Sequence, residues 1–121
     1  MCRSSVYNDD MPRDRSLQEP SFLILTALAA APQHGYGIMN DVASISAGRV
    51  RLRAGTLYAA LDRLRSDGLI EVDREEVVQT RLRRYYRLTP DGVGRLAAEA
   101  GRLRHNADVA ALRLRHAGST P

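Results

Sequence analysis

The stretch RVRLRAGTLYAALDRLRSDGLIEVD, Arg49 to Asp73, decides the fold. Leu57, Ala60, Leu61 and Leu64 recur at helical spacing, so about Ala54 to Asp67 reads as an amphipathic helix. Gly68 stands where a helix commonly stops. Directly after it, Ile70 and Val72 alternate with Glu71 and Asp73, the period of a strand with one buried face. Arg49, Arg51 and Arg53 approach the helix at alternate positions. If that segment is extended, the three side chains project to one side and Leu52 packs inward. A short helix entered past three arginines and leading into a strand matches a helix that lies in a DNA groove with a β-wing beside it.

The flanking sequence completes the pattern. Pro20 and Ser21 open a first helix to about Ala31, and Pro32 lies just beyond its end. Tyr36, Met39, Val42 and Ile45, supported by Ile38, give a second helix from about Tyr36 to Ser46, ended by Gly48. Downstream, Tyr86 and Leu88 alternate with Tyr85 and Arg87 in a second strand. The intervening REEVVQTRLRR reads as the hairpin tip, and without Gly, Asn or Pro it names no turn type. Thr89 as N-cap and Pro90 at the first helical position start a fourth helix that should reach about Arg115. The expected fold is mainly α with a small β wing: a winged helix-turn-helix of three helices and a two-stranded hairpin, plus a long C-terminal dimerisation helix. The expected division is a flexible N-terminal arm over 1–19, a DNA-binding domain over 20–89, the dimerisation helix over 90–116 and a disordered tail over 117–121.

A chain of 121 residues suits one modest core. Its net charge of +4 and pI of about 9.8 favour a polyanionic partner. All 18 cationic side chains are arginine. A GC-rich genome is enough to produce that bias, yet guanidinium groups also bind phosphate and guanine edges in a bidentate manner that ammonium groups cannot. The single cysteine, Cys2, allows no intrachain disulfide and fits a reducing, cytoplasmic setting. The longest apolar run, FLILTALAAA from Phe22 to Ala31, is too short to span a membrane and reads as a core helix. No nucleophile–histidine–acid grouping and no phosphate-binding glycine loop is visible, so neither an enzyme nor a cofactor is expected. His105 and His116 stand about 16 Å apart along one helix, too far for one chain to chelate a metal with both.

The outward positions of the third helix are Thr56, Ala59, Asp62, Arg63 and Ser66, with Tyr58 on the flank. Thr56 and Tyr58 occupy the first turn, where such a helix enters the major groove, and Arg63 can reach a phosphate or a guanine. On the hairpin, Arg83 and Arg84 are the expected contacts. Asp73, Glu75 and Glu76 lie across from the arginine cluster and would pair with some of it, so Arg83 and Arg84 are favoured as contacts over Arg81 and Arg87. Arg51 and Arg53 would fix position on the backbone. His34 and Tyr36, at the start of the second helix, either meet a phosphate or serve a local turn. All of these positions are also what a solvated face would carry. In the fourth helix Leu96, Ala100, Leu103, Ala107, Ala110 and Leu114 are spaced four, three, four, three, four, a heptad-type seam that pairs two copies or packs on its own domain.

Three segments carry a family resemblance: ILTALAAAPQHGYGIM (Ile24 to Met39), GTLYAALDRLRSDGLI (Gly55 to Ile70) and RRYYRLTPDG (Arg83 to Gly92). In this order and spacing they resemble the PadR family of bacterial transcriptional regulators. The resemblance implies a homodimeric repressor that binds double-stranded DNA at an inverted-repeat operator, with the C-terminal helix as dimer contact. It also implies a small-molecule effector held between the fourth helices and the winged domains. There Arg95, Arg102 and Arg104 would accept an anion, or are simply solvated. The sequence departs from the family pattern twice. Arg53-Ala54 replaces the usual Ser-Pro before Gly55, which removes an N-cap hydroxyl and costs the helix start about 1 kcal/mol. The wing lacks a glycine-rich turn. A winged helix that turns its basic face to a partner protein is the alternative reading, and a metal-gated sensor is a third.

Overall fold

The computed structural model of the chain describes residues 17–119. Helix α1 spans Glu19–Ala30, strand β1 Gln33–His34, helix α2 Gly35–Ile45, helix α3 Ala54–Ser66, strands β2 Ile70–Val78 and β3 Arg81–Leu88, and helix α4 Pro90–Ser119. The expected N-terminal arm falls almost wholly outside the described residues, with Cys2. The helix order and the wing agree with the fold expected from the sequence.

Helix α1 is apolar nearly all round because it is the central helix. Leu23, Ile24, Leu25, Ala27 and Leu28 are all buried. Leu57, Ala60, Leu61 and Leu64 of α3 close on it together with Ile38 and Val42 of α2, and Leu69, Ile70 and Tyr86 seal the sheet side. Val50 and Leu52 pack inward while Arg49, Arg51 and Arg53 stay exposed, the alternation expected of extended backbone.

The sheet differs from the sequence reading in two ways. It has three strands in the order β1-β3-β2, all antiparallel. The added strand is only Gln33 and His34, too short to leave a period. Gln33 is fixed there by its side-chain amide, which donates to the Ala27 carbonyl and to Asp41, each at 3.0 Å. The hairpin is also tighter and longer than expected. Both strands run to within two residues of each other, and Gln79 and Thr80 make the turn with φ of 52° and 65°. Left-handed backbone at both central residues is the signature of a type I′ turn, which normally selects Asn-Gly because residues with a Cβ are strained there. A bulge at Asp73 shifts the register between Val72 and Arg74.

Helix α4 begins with a complete cap. The Thr89 hydroxyl accepts from the Gly92 amide at 3.0 Å and donates to the Gly68 carbonyl at 2.6 Å. Gly92 is required here, since a Cβ would lie 2.0 Å from the Leu69 carbonyl oxygen. The helix continues to Ser119, past the end expected near Arg115, because no proline interrupts it before Pro121. No helix among the described residues is long and apolar enough to cross a membrane.

Candidate nucleic-acid interface

Between α3, the start of α2 and the wing lies an open groove of about 790 Å³. It gathers five of the residues singled out from the sequence: His34, Tyr36, Tyr58, Arg83 and Arg84. Arg81, Leu82 and Asp62 also line it. Tyr36 is 68% exposed and Tyr58 48% exposed. Tyr58 leans on the first residue of α2. A Cβ on Gly35 would come 2.3 Å from the Tyr58 hydroxyl oxygen, so glycine lets the two elements meet.

His34 caps α2. Its Nδ1 accepts from the Gly37 amide at 3.3 Å, and its ring meets Tyr85 edge-on at 5.2 Å. Burial, then the nearby Arg83, lowers its pKa, so the ring is held neutral in keeping with its role as an acceptor. The structure thus gives His34 the local cap that the sequence left as one of two roles.

The remaining candidate contacts stand outside the groove. Thr56 is exposed on the outward face of α3. Arg63 is also exposed and sends its guanidinium toward Ser21 of α1, 3.5 Å away. Arg51 and Arg53 are exposed ahead of α3, whereas Arg49 is tied to Glu19. Arg53 is the N-cap residue of α3 and offers no side-chain cap, the expected consequence of the Arg53-Ala54 departure.

The arginines of the wing are sorted differently from the sequence expectation. Arg87, one of the two less favoured contacts, is bonded to Glu71 at 2.9 Å and Asp73 at 3.0 Å. Arg84, expected to be open, is bonded to Glu75 at 2.9 Å. Arg81, the other less favoured contact, has no ion-pair partner among the described residues, nor does Arg83. The cause is register. The two-residue turn places Glu75 directly opposite Arg84, and Val78 opposite Arg81. Asp73 and Glu76 are drawn to Arg74, which also stacks 3.9 Å over the Tyr85 ring. These bonds lower the Asp73 and Glu76 pKa values, in each case chiefly through Arg74.

On α4, Leu96 packs against the core while Ala100, Leu103, Ala107, Ala110 and Leu114 are exposed. From Gly101 to Gly118 every residue except Val109 is exposed, a projection of roughly 27 Å at 1.5 Å per residue. Of the three candidate effector arginines, Arg102 is bonded to Glu99, Arg95 is half-buried beside it, and Arg104 is exposed. Glu99 is buried, and its pKa is lowered first by Arg102 and also by the Leu17 backbone. Sequence reading missed Glu99, because an acid on a helix gives no sign of what covers it. Among the described residues no group of three or more His, Cys, Asp or Glu is placed to hold a metal.

Comparison with known proteins follows the same lines. Residues 24–98 match the model of the transcriptional regulator PadR-like family. The chain is 52% identical over 42 residues to the transcriptional regulator Rv3488 of Mycobacterium tuberculosis, an alignment that spans 35% of this chain and 38% of that one. A PadR family transcription regulator from Clostridium difficile is similar in structure, with a TM-score of 0.68 at 26% identity over 80% of this chain and 99% of that one. The fold is also shared with Bacillus subtilis PadR in complex with operator DNA, with a TM-score of 0.60 at 21% identity over 67% of this chain and 47% of that one. The matched segment runs from α1 into α4 and takes in the groove and the wing, so the chain belongs to the PadR-like family of transcriptional regulators, which are not enzymes.

Proposed function

We propose that the protein is a homodimeric repressor that reads an inverted-repeat operator in double-stranded DNA. Helix α3 enters the major groove with Thr56 leading. The wing follows the backbone, and Arg81 and Arg83 meet phosphates. The observation that carries this reading is the groove between α3 and the wing, where two exposed tyrosines and three arginines converge at the start of α2. Tyrosine hydroxyls and guanidinium groups are phosphate donors, and the exposed outer face of α3 is free for base edges. The solved complex of Bacillus subtilis PadR with operator DNA supports DNA as the partner.

The exposed apolar stripe of α4 supports pairing of two copies. A two-fold dimer would present two reading helices to the halves of a palindrome. A small molecule bound between α4 and the winged domain would relieve repression if it favoured a dimer shape whose heads no longer match the half-site spacing.

The test is binding to the DNA upstream of the protein's own gene and to a scrambled duplex at several salt concentrations. Tight binding to the upstream DNA alone, weakening steeply with salt, is expected. Absence of binding to either at low salt would favour the alternative of a protein partner. That alternative has one observation in its support, the exposed apolar pair of Val77 and Leu82 on the wing.

A further inference from the structure

Asp62 is the only carboxylate among the described residues that line the groove between α3 and the wing, and it shares that groove with Arg81, Arg83 and Arg84. It is exposed, it stands one turn after Tyr58 on the same side of α3, and no ion pair or hydrogen bond among the described residues engages its carboxylate. A carboxylate aimed at DNA is repelled by phosphates and gains nothing from the backbone. It is favourable there where it accepts a hydrogen bond from a base or orients an arginine, and no arginine among the described residues engages Asp62.

Resting on the reading of α3 as the DNA-recognition helix, we infer that Asp62 is a specificity-determining residue that selects cytosine at one position of each half-site. The chemistry narrows the choice to that base. An ionised carboxylate only accepts. In the major groove guanine presents two acceptors and thymine an acceptor and a methyl group, so both are refused. Adenine offers its N6 amino group beside the N7 acceptor, which would face the second carboxylate oxygen. Cytosine offers its N4 amino group beside its own C5–H, with no acceptor on its own major-groove edge. Asp62 therefore works by rejection as much as by attraction, which suits a residue that weakens binding to every other sequence.

The test uses the full chain, an operator selected from randomised duplexes, and the set of all single-base variants of that operator. Wild-type protein is expected to prefer cytosine at one position per half-site by about fivefold or more. Asp62→Ala should lose that preference and keep the others, while binding random duplex more tightly. Asp62→Asn should move the preference to adenine, whose N6 and N7 match an amide. Unchanged preferences in Asp62→Ala would overturn the inference. So would a uniform loss of affinity with preferences kept, since Asp62 would then be orienting an arginine. If wild-type protein selects no sequence at all, the recognition-helix reading fails first and takes this inference with it.

Discussion

If the wing meets DNA as proposed, Glu75 should restrain binding through Arg84, and releasing it should strengthen binding. The two side chains meet in a single bond of 2.9 Å, each about 43% exposed. A phosphate that takes the Nε donor of Arg84 must displace this carboxylate, and one on the Nη donors meets a charge that the carboxylate partly offsets. An exposed pair of this kind is weak, so displacement is feasible but reduces what the contact contributes. Glu75→Gln keeps the size and shape of the side chain and removes its charge. Affinity for duplex DNA is expected to rise about two- to fivefold at low salt, the range set by exposed ion pairs. If Arg84 then completes a phosphate contact, the slope of log K against log salt should steepen by up to about 0.9. The assay is an anisotropy titration of labelled duplex at four salt concentrations for wild type, Glu75→Gln, Arg84→Ala and the double variant. The gain should vanish in the Arg84→Ala background. An equal gain with Arg84 absent would mean that Glu75 acts only through the general field, and no gain would mean that Arg84 does not meet DNA; either result refutes the reasoning.

Three further outcomes test the fold that holds the groove. Gly92→Ala should destabilise the protein by about 1–3 kcal/mol in urea unfolding, because its Cβ must push the Leu69 carbonyl aside, whereas Gly94→Ala, with open space around it, should be neutral or stabilising. Gln79→Asn with Thr80→Gly should raise the thermal midpoint by relieving left-handed backbone at both turn residues, and an unchanged or lower midpoint would show that the turn is not strained. The folded-state pKa of His34 lies below its ordinary value near 6.5, so its contribution is full above that pH and is lost as pH falls through 6.5 toward the folded value. His34→Asn, a cap that does not titrate, should flatten the stability profile in that window, and the separate loss below about pH 4.5, from paired carboxylates such as Glu99, should remain.

Helix α3 was legible because four buried positions repeat at 3.6 residues, and the start of α4 because Thr89-Pro90 has few other meanings. The outer half of the wing was not. Val77 and Leu82 are exposed there at 73% and 61%, so no buried face imposed a period, and the turn residues Gln79 and Thr80 carry none of the usual signals. Missing the turn meant missing the register, and with it which arginines the acids hold. Five of the predicted contacts proved to share one groove, but Asp62 looked like any other solvated helix position until the wing was placed across from it.

The pairing on the wing bears on how a regulator of this kind discriminates. Between Ile70 and Leu88 there are five arginines and four carboxylates, so the wing adds only one net positive charge. Phosphate attraction is the same for every DNA sequence, and each arginine engaged by Glu71, Asp73, Glu75 or Glu76 lowers it equally for operator and random DNA. On the proposed reading, the ratio between the two then depends on contacts that differ between them, which Thr56, Asp62 and their neighbours on α3 would make. Glu75→Gln should therefore improve binding to random DNA by the same factor as binding to the operator. Asp62→Ala should improve binding to random DNA while relaxing the choice of base. Measured side by side, the two variants separate a charge that sets overall affinity from a charge that sets sequence preference. If both shift operator and random DNA by the same factor, the wing and the helix act as one electrostatic surface, and specificity has to come from the spacing of the two heads.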